Sequence, residues 1–236
     1  MNHRFNEIGS KRNCCLSLAA IGMGLFLPFH AARADDRNSA GAQWQQWSLS
    51  IPTAVNPTLD PTGQNCMVGQ SDSVWYLAGM FGGGSAVRNC SIPEGTTLFF
   101  PVINSVNVNA PNVCGQGPAN VSVKDLRAAS AAFINGAGNL SVDLDGRGIH
   151  NWDRIQSPVF AVALPESNIF DPPCVGAGLG NVPAGVFSPA VDDGIYVKLG
   201  PLSVGTHRLH IHAENRSQGF VLDVTYNLVI VPVSSR

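Results

Sequence analysis

Four cysteines restrict what this 236-residue chain can fold into: Cys66, Cys90, Cys114 and Cys174. Two more, Cys14 and Cys15, open an apolar run to Phe29 that follows the basic residues His3, Arg4, Lys11 and Arg12. That run leads to Ala32-Arg33-Ala34 and then Asp35-Asp36. A basic start, a short apolar stretch and an A-x-A site are the parts of a secretory signal peptide. The run is shorter than the roughly 20 residues of a membrane span. Cleavage after Ala34 is predicted, leaving residues 35–236 as one domain that is secreted or periplasmic. In an oxidising compartment the four remaining thiols form two disulfides, for which three pairings exist.

The favoured pairing is Cys66–Cys90 with Cys114–Cys174. The first pair brackets the apolar segment SVWYLAGMF, which can fold back through the glycines at 82–84. The second joins two Pro/Gly-rich loops, NAPNVCGQGP and DPPCVGAGLG. Loop-closure entropy makes each bridge worth about 3–4 kcal/mol. A zinc site would compete for the same thiols, but no C-x-x-C spacing supports one.

The chain carries 14 Lys+Arg and 16 Asp+Glu. The leader removes four basic residues (Arg4, Lys11, Arg12, Arg33) and one acid (Glu7), leaving ten against fifteen, a net charge of −5. Such a mildly acidic surface with scattered arginines argues against a nucleic-acid partner, which needs clustered Lys/Arg. No segment after the leader is long and apolar enough to span a membrane.

Periodicity predicts a mainly β domain. Alternation of Leu140, Val142 and Leu144 with Ser141, Asp143 and Asp145 marks a strand running into an Asp-Gly hairpin turn. SPVFAVALP, GIYVKLGPL, THRLHIHA and GFVLDVTYNLVIVPV read as further strands, as do SVWYLAGMF and GTTLFFPVI. MFGGGSAV is glycine-rich and reads as a hairpin turn or flexible tip, and Asp192-Asp193-Gly194 as another turn. One amphipathic helix is expected in SVKDLRAASAAFINGAG, with Ser122 and Asp125 in capping-box relation and Asn135-Gly136 at its end. SAGAQWQQWSLSIP could add a short helix with Trp44 and Trp47 on one face. Together these patterns predict an antiparallel β-sandwich, Ig-like or jelly-roll-like, with long disulfide-tied loops.

Several blocks in order, WQQWSLSIPTAVNPTLDPTGQNC, VWYLAGMFGGGSAVRNCSIPEGTTLFFPVIN, VDLDG, SPVFAVALPESNIF and DDGIYVKLGPLSVGTHRLHIHAEN, followed by LDVTYNLVIVP, span nearly all of residues 35–236. They resemble a group of secreted bacterial β-rich proteins without an established activity. The resemblance implies a secreted, disulfide-bearing β-rich protein and is consistent with Cys66 pairing Cys90. The group favours a small residue where this chain has His212, so it implies no shared site there.

Candidate chemistry is sparse. If THRLHIHAEN is a strand, Arg208, His210, His212 and Glu214 share one face and Leu209 and Ile211 the other. Two imidazoles at that spacing can hold a divalent metal such as Zn²⁺ or Cu²⁺ given further ligands, for which Glu214 and His150 are the candidates. The same pattern also describes a solvated strand face. Asp143 and Asp145 could pair as carboxylates, although Asp145 before Gly146 suits a turn. There is no G-x-S-x-G elbow and no H-E-x-x-H helix. Trp44, Trp47, Trp75 and Trp152 could stack on a glycan if exposed. Trp152, among His150, Asn151, Asp153 and Arg154, is the expected surface aromatic, and His150 and Trp152 are the expected ligand-facing pair. Absence of a complete catalytic set favours a non-catalytic exported module binding a small molecule, glycan or envelope component. A metal-dependent enzyme or metal-binding protein using His210, His212 and Glu214 is the alternative.

Overall fold

A computed structural model describes residues 35–71 and 73–233; the predicted leader lies outside these described residues. The elements are, in order, α1 (Asp35–Ser50), β1 (Val74–Tyr76), β2 (Gly84–Pro93), β3 (Thr97–Val108), α2 (Val123–Asn135), β4 (Gly138–Leu144) and β5 (Arg147–Gly148). β6 (Trp152–Gln156), β7 (Phe160–Leu164), α3 (Asp171–Gly176), β8 (Gly185–Leu199), β9 (Gly205–Asn215) and β10 (Phe220–Val231) complete them. The strands form two five-stranded sheets. One runs β1-β3-β8-β6 with β7 also on β8, and the other runs β2-β10-β9-β4-β5.

Both sheets are mixed, which corrects the expected all-antiparallel arrangement. β1 pairs β3 in parallel, and β2 pairs β10 in parallel along its whole length. Alternation specifies which face of a strand is buried, not the direction of its neighbour, so the sequence pattern could not distinguish the two. The inner faces share one core, in which Phe100, Val197 and Leu199 of the first sheet join Leu209, Ile211, Val224 and Leu228 of the second.

The helices cover the first sheet from both sides. α2 begins where expected: Ser122 Oγ accepts from the Asp125 N–H at 3.2 Å and donates to Asp125 Oδ2 at 2.6 Å. It turns Leu126, Ser130 and Ile134 inward. Gly136 ends it for a reason of space. A Cβ there would lie 2.9 Å from Asn215 Nδ2, which donates to the Phe133 carbonyl at 2.8 Å. On the other face of the sheet, Trp44 and Trp47 of α1 pack with Phe99, Ile155 and Tyr196. Their indole N–H groups donate to the carbonyls of Leu77 and Val68. These tryptophans are core residues rather than surface aromatics. α1 is the helix that SAGAQWQQWSLSIP allowed, with Trp44 and Trp47 in one cluster, and α3 is an addition.

Cys66 joins Cys90 and Cys114 joins Cys174, with Cα separations of 5.9 and 5.4 Å. The first bridge ties a strap over β2, the edge strand of its sheet. Asp60 caps that strap by accepting from the N–H groups of Thr62 and Asn65, and the Thr62 carbonyl accepts from Asn89 N–H of β2 at 2.9 Å. Gly63 (φ 88°) sits against β2 where a Cβ would come within 2.7 Å of Asn89 N.

β2 corrects the expected hairpin turn or flexible tip, because β1 and β2 belong to different sheets and β2 begins at Gly84. Only residues up to Gly83 form the turn, and Gly84 already pairs with Leu222. Asp192-Asp193-Gly194 is likewise no turn: all three residues lie buried in the middle of β8. Gly194 is needed there because a Cβ would meet Asn104 Cβ at 2.7 Å and the ring of Tyr196. Among the described residues no helix is long and apolar enough to cross a membrane.

Candidate functional site

A cleft of about 480 Å³ opens beside β3. Its origin is a short neighbour. β1 pairs β3 only from Thr97 to Phe99, and the Leu77 N–H makes the last contact to the Phe99 carbonyl. Beyond that point the free edge of β3, Pro101–Val106, lines the opening. α1 contributes Trp44, Gln45 and Ser48 to one wall, while Phe133, Phe220 and Leu222 contribute to the other. Gln218, exposed, stands at the rim. Among the described residues no charged side chain lines it.

Arg88 organises the cleft's near wall. Its guanidinium is fully buried and donates to the carbonyls of Asp60, Ala78 and Gly79, to the Tyr226 hydroxyl and to Met80 Sδ. Gly79 and Met80 line the cleft, so one cation fixes the path of the chain between β1 and β2.

Behind the opposite wall lies a buried carboxylate. Asp192 Oδ1 accepts from Gln45 Nε2 at 2.7 Å, and Asp192 Oδ2 accepts from the Tyr196 hydroxyl at 2.9 Å. The same hydroxyl accepts from Asn104 Nδ2 at 3.2 Å. Burial pushes the Asp192 carboxyl up from 3.8 to about 7, against the two hydrogen bonds that favour its anion, and the neighbouring Asp193 adds to the rise. Burial, with Asp192 beside it, also pushes the Tyr196 phenol well above its usual value. Asp193 faces the other side of the strand, where Arg154 grips it through Nε at 2.9 Å and Nη2 at 2.8 Å. Gly41 gives the carboxylate room, since a Cβ there would lie 2.6 Å from Asp192 Oδ2.

The sequence-predicted residues assemble elsewhere. His210, His212 and Glu214 do share the polar face of β9, above fully buried Leu209 and Ile211. Asp223 of β10 enters between the imidazoles. His210 Nε2 and His212 Nδ1 lie 3.2 and 3.1 Å from its two oxygens, and His212 Nε2 lies 3.4 Å from Glu214. Burial opposes it, but the two imidazoles draw the Asp223 carboxyl below its usual value. Arg216 holds Glu214 down to about 2. The imidazoles thus spend nitrogens on one carboxylate, and among the described residues no three His, Cys, Asp or Glu side chains are placed to hold a metal ion. His150 lies apart from this face. It packs edge-on against Trp152, with ring centroids 6.0 Å apart, and sits close over Gly148. Trp152 is half-buried against the main core, whereas the other three tryptophans are buried.

A third cluster has the atoms of a catalytic triad in an unproductive state. His207 Nδ1 is 2.7 Å from Asp145 Oδ2, and His207 Nε2 is 3.3 Å from Ser203 Oγ. The Ser203 carbonyl is closer to Nε2, at 2.9 Å. Asp145, followed by that carbonyl, raises the His207 value. With Nε2 nearer the main-chain carbonyl than the hydroxyl, the ring is not aimed at Ser203 Oγ as a general base. Asp145, held by the Arg208 N–H and His207, fastens the turn after β4 to β9, while Asp143 bonds the Gly146 N–H inside that turn.

No sequence motif singles out Gln45, Asn104, Asp192, Tyr196 or Arg88 as site residues. One signal is present: two adjacent acids inside the apolar run FSPAVDDGIYVKL, where burial is costly unless each acid has assigned partners. The fold and site define a disulfide-tied, mainly β domain with a partly enclosed, uncharged cleft. No family model, curated protein or solved structure matches the chain.

Proposed function

We propose that the protein is an exported, non-catalytic binding module whose cleft beside β3 takes a small, uncharged, largely apolar ligand carrying a hydrogen-bonding group. The observation that carries this reading is the lining itself: aromatic and aliphatic side chains interrupted by Gln45, Ser48, Asn104 and Ser105, with no charge. Concave sites of this volume, mostly apolar with a few convergent polar groups, are how proteins hold small molecules. Export, with cleavage after Ala34 and a periplasmic or extracellular destination, is supported by the leader's composition and by the two disulfides. The shared core of the two sheets supports a β-sandwich, and the resemblance to secreted β-rich proteins points the same way. The metal reading of His210, His212 and Glu214 has less support, because their nitrogens and oxygens are engaged with Asp223 and Arg216.

The test is titration with N-phenylnaphthylamine, an uncharged fluorescent amine. Saturable binding at one site per chain is expected. Gln218→Trp, which plugs the rim without entering the core, should abolish it while shifting Tm by less than about 2 °C. Fluorescence that never saturates, or that survives the plug, would refute the cleft as the site.

A further inference from the structure

We infer that the proton on Asp192 sets whether the cleft offers its ligand a hydrogen-bond acceptor or a donor. This rests on the cleft being the binding site and concerns how that site is regulated. The geometry is a relay with both ends in the cleft wall: Asn104 to Tyr196, Tyr196 to Asp192, Asp192 to Gln45. Asn104 and Gln45 line the cleft, whereas Asp192 and Tyr196 do not.

Donor directions follow from the carboxylate. When Asp192 is ionised, both oxygens accept, so Gln45 must present Nε2 and Tyr196 must donate its hydroxyl hydrogen. The phenol oxygen then accepts from Asn104 Nδ2, leaving the Asn104 carbonyl oxygen for the cleft. When Asp192 is protonated, one oxygen becomes a donor. If that hydrogen goes to the Tyr196 oxygen, the phenol turns its own hydrogen to Asn104, whose amide rotates to accept it. If it goes to Gln45, that amide rotates instead. Either way one cleft-lining amide exchanges an acceptor for an N–H donor. Burial places the changeover near neutral pH rather than in acid.

Other charged groups around the carboxylate are engaged with partners of their own. Asp193, on the same strand, is paired with Arg154 of β6. Arg127 of α2 donates to the Ser157 carbonyl, and Ser157 brackets the Asp192 main chain through its own N–H and hydroxyl. Tyr196 stays protonated. Among the described residues α1 and β3 bring only Gln45 and Asn104 to the relay.

Two uncharged tricyclic probes of equal shape separate the alternatives: carbazole, which carries an N–H donor, and fluorenone, which carries a carbonyl acceptor. In the oxidised protein carbazole should bind more tightly as pH rises from about 5 to about 9, and fluorenone less tightly. The relative preference should move about five- to tenfold, the worth of one hydrogen bond. Asp192→Asn, whose amide mimics the protonated acid, should favour fluorenone at every pH. The side-chain amide resonances of Asn104 and Gln45 should titrate with one midpoint in the unliganded protein. Tyr196→Phe should abolish the titration of Asn104 and spare that of Gln45. Probe binding without pH dependence, together with amides that do not titrate, would overturn the relay and leave the cleft reading intact. Failure of both probes to bind would overturn the cleft reading, and with it the control of ligand choice.

Discussion

Replacing Asp192 with Asn should raise the stability of the oxidised protein at neutral and alkaline pH and leave it unchanged in acid. The folded protein lifts this carboxyl from 3.8 to about 7. Between those values the native state binds the proton more tightly than the unfolded chain. The stability this gives is fully present below about pH 4, falls as pH rises, and is gone above about pH 7. At about 1.36 kcal/mol per pH unit the loss amounts to about 4 kcal/mol, a large share of a domain's usual 5–15 kcal/mol. Asn cannot ionise, and its carbonyl and amide can still meet Gln45 and Tyr196. Asp145 and Asp223, whose values are lowered, add the opposite slope in acid, but they do so in both proteins. The difference between the two unfolding free energies therefore isolates residue 192. Urea titrations followed by tryptophan fluorescence, at steps from about pH 4 to about pH 8, would trace it. A difference that stays constant across this range, or a variant less stable than the parent at about pH 8, would refute the argument.

Leu209→Ala should cost about 2–5 kcal/mol in the same assay, because the side chain is fully enclosed between the sheets. His212→Ala should cost less than about 1 kcal/mol, since His210 still pairs Asp223. The His207 imidazole should titrate above 6.5, and Asp145→Asn should bring it down. Its contribution to stability is present below 6.5 and disappears as pH rises through the elevated value. Incubation with a fluorophosphonate should leave Ser203 unlabelled; labelling that depends on His207 would reverse the structural reading of that cluster. Non-reducing peptide mapping should recover Cys66 with Cys90 and Cys114 with Cys174, and a crossed pair would contradict the fold.

Legibility in the sequence followed from which residues carried an unmixed pattern. β9 and β10 alternate cleanly, and α2 has its cap and periodic face, so all three could be read locally. β2 could not. Its inward positions are Ala86, Arg88, Cys90 and Ile92, and a buried arginine breaks the apolar period. α1 is buried on nearly every side, exposing only Gln43, Gln46 and Ser50 between Gly41 and Ser50, so it shows little amphipathic contrast. Asp192-Asp193-Gly194 has turn chemistry that tertiary packing overrides: Arg154, Gln45 and Tyr196 hold the acids, and the glycine admits a ring. The cleft stayed hidden because it depends on where β1 stops, a matter of strand pairing that no local pattern records. The histidines of β9 were legible as a face, but Asp223 lies eleven residues beyond His212 and reaches it only through the β9–β10 register.

The strap over β2 predicts that the redox state of one bond governs self-association. With Cys66 and Cys90 joined, Thr62 occupies a backbone donor of the outermost strand and shields the stretch around Asn89. Reduction would remove the covalent tie and leave the strap held by its hydrogen bonds to Asn89 and Arg88, so that the ten-residue strand is more readily uncovered. An unprotected strand of that length is a template for another chain. Material made in a reducing cytoplasm is therefore expected to accumulate as edge-to-edge polymers, whereas material oxidised before concentration stays dispersed.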